Sequence, residues 1–192
     1  MIVTIDGPAG VGKSTVAQRV ASELGLPYVD TGAMYRELTA AALEHDVSVD
    51  DESALVGLVG TPPAAGTDLR SERVSAQVSA VSRHPRVRER MRALQRERAE
   101  SGAVLEGRDT GTRVRPDADV KIYLTAPVRI RAARRAADLG LSVDEIERTI
   151  EARDSGDAAQ LAAAADAHQI DTGALTVDQV VAAIVELAGV PR

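Results

Sequence analysis

Gly7-Pro8-Ala9-Gly10-Val11-Gly12-Lys13-Ser14 fits the pattern G-x-x-x-x-G-K-[S/T], and what surrounds it leaves few folds open. Residues 2–5 before it are the β-branched run of a buried strand. Residues 15–24 after it carry apolar side chains at helical spacing. In a strand–loop–helix of this kind the glycines let the backbone curl until several N–H groups point at one anion. The helix N-terminus adds its dipole. Lys13 then bridges the outer phosphates of a nucleotide and Ser14 holds Mg²⁺, so the loop predicts a nucleotide-phosphate site. The bland alternative is a structural glycine-rich turn.

Composition narrows the class further. With 192 residues the chain suits one α/β domain with a small appendage. It has no cysteine, which rules out disulfides and thiolate metal sites. No apolar run is long enough to span a bilayer, and the first strand starts too near Met1 for a signal peptide, so a cytoplasmic location and no membrane partner are expected. A net charge of −6 argues against a broad nucleic-acid surface. There is no Phe or Trp and there are three Tyr, so the core must be Leu, Val, Ile and Ala, and base stacking on an aromatic platform is not expected.

Strand and helix patterns alternate, which predicts a parallel sheet covered on both faces. Strands are expected at 2–5, 26–29, 103–106, 119–124 and 167–170. Helices are expected at 13–24, 33–43, 51–59, 71–82, 85–100, 127–138, 143–152 and 177–187. The Pro/Gly-bearing stretch at 60–66 is a loop.

Polar clusters stand at the ends of the predicted strands, where open α/β sheets bind ligands. In Asp30-Thr31-Gly32-Ala33-Met34-Tyr35-Arg36, Thr31 and Arg36 are either ligand contacts or an ordinary helix cap and a surface arginine. Glu106-Gly107-Arg108-Asp109-Thr110-Gly111-Thr112 suggests a tight turn presenting a cation to a phosphate and a carboxylate to hydroxyls. The plain alternative is a turn with an Arg–Asp pair. Arg153-Asp154-Ser155-Gly156-Asp157 leaves a helix for a loop, where arginines close over a transferring phosphoryl group or simply end a solvated helix. Arg131 and Arg135 share a helix face by spacing, flanking a triphosphate or facing solvent. The arginines from Arg83 to Arg98 alternate with Glu89 and Glu97 as a salt-bridged surface helix needs. His45, His84 and His168 have no ligand or triad spacing.

Taken together these segments resemble the bacterial cytidylate kinase family of nucleoside monophosphate kinases. The resemblance covers most of 1–56 and 79–189 in order. It is carried by the opening Ile5-to-Thr15 segment, Asp30-to-Arg36, Pro85-to-Arg88, Gly107-to-Thr112, Lys121-to-Leu124 and Arg153-Asp154. Gly-Arg-Asp-x-Gly-Thr is the most specific piece, because many kinases share the phosphate loop. The resemblance implies a P-loop NTPase fold with a five-stranded parallel sheet flanked by helices, divided into a core (1–30, 103–140, 166–192), an acceptor-binding arm (31–102) and a lid (141–165). It implies transfer of the γ-phosphoryl group of ATP to CMP or dCMP with Mg²⁺, by a monomer.

Carried over by position, Gly7, Pro8, Ala9, Gly10, Val11, Gly12, Lys13, Ser14 and Thr15 contact ATP, with Ser14 on the metal. Thr31, Arg36, Ser79, Arg88, Arg108 and Asp109 bind the acceptor. Arg131, Arg135 and Arg153 are lid cations and Asp157 is a lid carboxylate; Lys13, Arg131, Arg153 and Asp157 form the catalytic set. Two departures stand out. The family's insertion with a small β-sheet is replaced by the short stretch around 60–70. The family's further lid arginine, seven residues after Arg153, is Gln160, with Arg148 and Arg129 as candidate replacements. The remaining alternatives are a kinase of the same fold with another acceptor, and a nucleotide-binding protein without transfer. A switch GTPase is unsupported, because no Asn-Lys-x-Asp element is present.

Overall fold

The computed structural model describes residues 1–158 and 160–189. Strands β1 (Ile2–Asp6), β2 (Tyr28–Asp30), β3 (Ala103–Gly107), β4 (Val120–Thr125) and β5 (His168–Asp171) form one sheet in the order β2-β3-β1-β4-β5. β1 pairs in parallel with β3 and with β4, and β4 with β5. Every residue of β1 is buried, as a central strand covered on both faces requires. The chain leaves β1 past β3 to reach β2 and leaves β3 past β1 to reach β4. Neighbouring strands whose connections run in opposite directions open a crevice at their carboxyl ends. Both the phosphate loop and the Gly107–Thr112 segment start from that crevice.

The chain divides into two compact units, Met1–Val29 with Ala99–Arg192, and Asp30–Arg98. In the first, α1 (Lys13–Leu24) and α8 (Val177–Leu187) bury Val16, Val20, Val181 and Ile184 with Val3, Ile5, Val104, Ile122 and Leu124 of the sheet. The core is aliphatic, as the composition demands. Helices α6 (Val128–Leu139) and α7 (Val143–Gly156) form a hairpin with its own small core of Ala132, Ala136, Ile146 and Ile150. No helix among the described residues is long and apolar enough to cross a membrane.

The second unit is helical: α2 (Thr31–Glu44), α3 (Glu52–Leu58), α4 (Glu72–Ser82) and α5 (Pro85–Arg98). Met34, Leu38, Leu55, Val74, Val81, Val87 and Met91 are buried in it. The short 60–70 stretch is tied down by Glu44, whose carboxylate accepts from the Ala64 amide at 2.8 Å and the Thr67 hydroxyl at 2.6 Å.

Strands and helices follow the sequence pattern, most boundaries are displaced by one or two residues, and four differences have local reasons. β2 starts at Tyr28, not at 26, because the Leu26 amide bonds to Ala21 at the end of α1 and Pro27 has no N–H. α2 starts at Thr31 because Asp30, not Thr31, is its cap, accepting from the Ala33 amide at 2.7 Å. After Asp109 the chain makes a π-helical turn, Thr110–Val114, where a simple tight turn was expected. α7 runs to Gly156, so Arg153 lies on its last turn and Asp157 at its C-cap.

Candidate active site

β1 ends at Asp6, paired in register with Gly107 of β3 and Tyr123 of β4, so three strand ends converge where the phosphate loop begins. Gly7 has φ +150°, and a Cβ there would lie 2.3 Å from the Leu124 carbonyl oxygen; the loop can leave β1 only through glycine. Asp6 is buried and accepts from the Thr110 amide (3.0 Å), the Thr110 hydroxyl (2.8 Å) and the Gly111 amide (2.8 Å). Burial pushes its carboxyl above the usual range against the pull of those donors. This carboxylate locks the 108–111 turn to the end of β1.

Three basic side chains then clasp three successive carbonyls of the phosphate loop. Arg108 donates to Gly7 at 2.7 Å, Lys13 to Pro8 at 2.8 Å and Arg131 to Ala9 at 2.9 Å. They come from β3's exit, the first turn of α1 and the first turns of α6, so distant segments meet on one loop. Lys13 is buried, and desolvation, with the charge of Arg108 next, lowers its pKa from 10.5 to about 7. Burial also pulls Arg108 below its ordinary value, with Asp157 opposing. The Arg108 Nε lies 3.1 Å from the Asp157 carboxylate, and Arg153 lies 3.9 Å from the same carboxylate. The four residues expected to be catalytic, Lys13, Arg131, Arg153 and Asp157, therefore belong with Arg108 to one cluster in the first unit.

Helices α2, α3, α4 and α8 are capped by the side chains of Asp30, Asp51, Ser71 and Thr176. α1 starts instead from Gly12, which has no side chain to satisfy the first amides, the arrangement an anion site needs. Ser14 donates from its hydroxyl to Glu106 Oε1 at 2.8 Å, and the Tyr28 hydroxyl donates to the other oxygen of Glu106. Ser14 and Glu106 thus bring together hard oxygens of the kind that could hold Mg²⁺. No cluster of three His, Asp or Glu suited to a metal occurs among the described residues. Thr15 is exposed, as is Arg135, one turn beyond Arg131 on α6. Their shared helix face does not make the two arginines equivalent, because Arg131 alone is drawn under the loop.

In the second unit Arg36 pairs with Asp30 at 3.1 Å, across a gap where a Cβ on Gly32 would approach both side chains. Thr31 is buried on the first turn of α2. Ser79 is exposed on α4, and Arg88 on α5 donates to the Ser82 carbonyl at 3.4 Å. Asp109, at the head of the π turn in the first unit, receives the Arg113 amide on its carbonyl at 2.8 Å. Arg129 bonds Asp144 and Glu147 within the α6–α7 hairpin and Arg148 bonds the Asp144 carbonyl, so both replacements considered for Gln160 are engaged there.

Sequence reasoning passed over Asp6, Glu106 and Asp154 as site residues. The signal was present, since all three are carboxylates adjoining a glycine or arginine motif at an element end. Only the contacts show which of them face the loop.

The sequence model of a family described as cytidylate kinase matches residues 3–189. A cytidylate kinase from Streptomyces avermitilis is 42% identical over 97% of this chain and 92% of its own. One from Limosilactobacillus fermentum is 45% identical over 93% and 91%. The first of these alignments spans 212 positions, more than the 192 residues here, so that relative carries residues this chain lacks. A shikimate kinase from Bacteroides thetaiotaomicron covers 99% of both chains with a TM-score of 0.53 and 14% identity, a likeness of fold alone.

Proposed function

The chain belongs to the cytidylate kinase family and is an ATP-dependent kinase of CMP and dCMP, and we propose the following roles for its residues. The observation that carries them is the row of three basic side chains, Arg108, Lys13 and Arg131, on the carbonyls of Gly7, Pro8 and Ala9. Phosphoryl transfer asks little covalent chemistry of a protein and much neutralisation and alignment.

The phosphate loop, Gly7 to Thr15, binds the ATP phosphates through its amides, and Lys13 reaches the outer ones. Ser14 and Glu106 would hold Mg²⁺, which would offset the charge of the phosphates. Thr31, Arg36, Ser79, Arg88, Arg108 and Asp109 take the acceptor-binding roles that the family resemblance assigns to them. An oxygen of the acceptor phosphate attacks the γ-phosphorus, the bond to the β–γ bridging oxygen breaks, and ADP leaves with that electron pair. Arg131 and Arg153 stabilise the charge spread over the transferring group, Asp157 orients Arg108 and Arg153, and Arg135 contributes to the adenine-nucleotide side. Closure of arm and lid excludes water, so that the acceptor rather than solvent receives the phosphoryl group. The enzyme acts as a cytoplasmic monomer with no nucleic-acid or membrane partner.

ADP release from MgATP with CMP, dCMP, UMP, AMP and shikimate offered separately tests this. Turnover with CMP and dCMP is expected, and a clear preference for another acceptor would refute the assignment. Arg108→Ala should raise the KM for CMP about 10- to 100-fold, the loss of one charge-assisted bond. An unchanged KM would remove Arg108 from the acceptor site.

A further inference from the structure

Asp154, on the last turn of α7, is not among the residues assigned above, yet it closes a ring around one residue of the phosphate loop, Ala9. Its Oδ1 accepts from the Ala9 amide at 3.3 Å and its Oδ2 from Arg131 Nη1 at 2.6 Å. The same Nη1 donates to the Ala9 carbonyl at 2.9 Å, while Nε donates to the Ala126 carbonyl at 3.0 Å. Both polar groups of Ala9 are thus held, one by the carboxylate and one by the guanidinium, and the two holders are paired. The pair is largely withdrawn from water, with side-chain exposures of 9% for Arg131 and 19% for Asp154. Low exposure strengthens such a contact and makes its geometry exacting.

The packing beneath it is equally close. Gly10 has φ +78°, and a Cβ there would lie 3.1 Å from the Cβ of Arg131 and 3.5 Å from Ile150 Cδ1. The phosphate loop therefore rests directly on α6 and α7. Asp154 is the side chain through which α7 takes hold of it.

We propose that Asp154 is a positioning residue for phosphoryl transfer, acting through Arg131. It fixes the guanidinium and the backbone on both sides of Ala9 before nucleotide arrives, so the cation needs no reordering when charge develops on the transferring group. A free arginine in this place would sample many rotamers, and ordering it would fall on the reaction. This role rests on the phosphoryl-transfer function proposed above.

A double-mutant cycle tests it, with D154N, R131Q and the double variant compared for kcat, for the KM of CMP and for MgATP affinity by calorimetry. D154N keeps the shape and removes the charge. It should lower kcat about 10- to 100-fold and weaken MgATP binding, while the KM for CMP stays within about twofold. Added to R131Q, it should cost less than about threefold more, because its partner is already gone. Independent, multiplying losses would reduce Asp154 to a structural tie and overturn the proposal. Tighter MgATP binding in D154N would overturn it too, since the carboxylate would then be competing with phosphate rather than placing a cation. Should D154N not fold, D154E enters the same cycle, with its charge kept and its reach changed. A wild-type enzyme that binds MgATP but phosphorylates neither CMP nor dCMP ends the proposed activity, while the affinity cycle still decides Asp154.

Discussion

Lys13 shows how burial sets the chemistry of one side chain. Its pKa falls from 10.5 to about 7 because the ammonium is desolvated beside Arg108. The sign is fixed by linkage: between those two values the unfolded chain holds a proton that the folded one lacks, so stability from this group rises with pH across that window. Below about pH 7 the buried ammonium counts against the fold. Lys13→Met removes the dependence. The stability difference, wild type minus variant, should therefore increase between pH 7 and 10 in urea unfolding followed by circular dichroism. A flat or falling difference would mean that Lys13 stays charged. Bound phosphates restore its charge, so at pH 8 wild-type protein should take up protons on binding ATP, seen by calorimetry in buffers of different ionisation enthalpy. Lys13→Met should take up fewer.

The 60–70 connection has no helix or strand of its own and depends on α2 to hold it. Glu44 supplies that hold through the Ala64 amide and the Thr67 hydroxyl, and these two bonds lower its pKa from 4.5. A carboxyl with a depressed pKa stabilises above its unfolded value and loses that contribution as pH falls through the folded one. Hydrogen-exchange protection of the Ala64 amide should therefore disappear in acid, below about pH 4.5. Glu44→Gln should show the same loss at neutral pH. Protection that ignores both changes would mean that the loop is held by its own turns. The α6–α7 hairpin is built differently: its aliphatic core of Ala132, Ala136, Ile146 and Ile150 carries no titratable group.

Across the molecule, stability rests on aliphatic packing around β1, for there is no Phe or Trp to fill the interior. Ile5 is fully buried in the central strand. Ile5→Ala should cost about 2–5 kcal/mol, a large share of a total that for domains is about 5–15 kcal/mol. Because Ile5 lies immediately before Asp6 and the phosphate loop, ATP affinity should fall with it. Unfolding is best followed by circular dichroism, as the chain has no tryptophan to report. A cost under about 1 kcal/mol would show that neighbouring Val and Leu side chains collapse into the gap.

Local chemistry made most of the fold legible in the sequence. The phosphate loop, the strand–helix alternation, α1 at Lys13–Leu24 and α8 at Val177–Leu187 follow from periodicity and glycine placement, which depend only on neighbours in the chain. The cluster around the loop was legible in part: Lys13 and Arg108 stand in motifs with a chemistry of their own, while Arg131 and Asp157 are picked out by the family resemblance. Spacing did not separate Arg131 from Arg135, because helical geometry gives both the same face. Burial under the loop distinguishes them. Nor did it show what Asp6, Glu106 and Asp154 hold, since a carboxylate's partner is set by strands and helices up to 145 residues apart. The sequence determined which loop would bind phosphate, because the amides and glycines that do so are contiguous. Tertiary structure alone decided which cations and carboxylates clasp that loop, because electrostatic pairing acts through space and low exposure makes its geometry exacting.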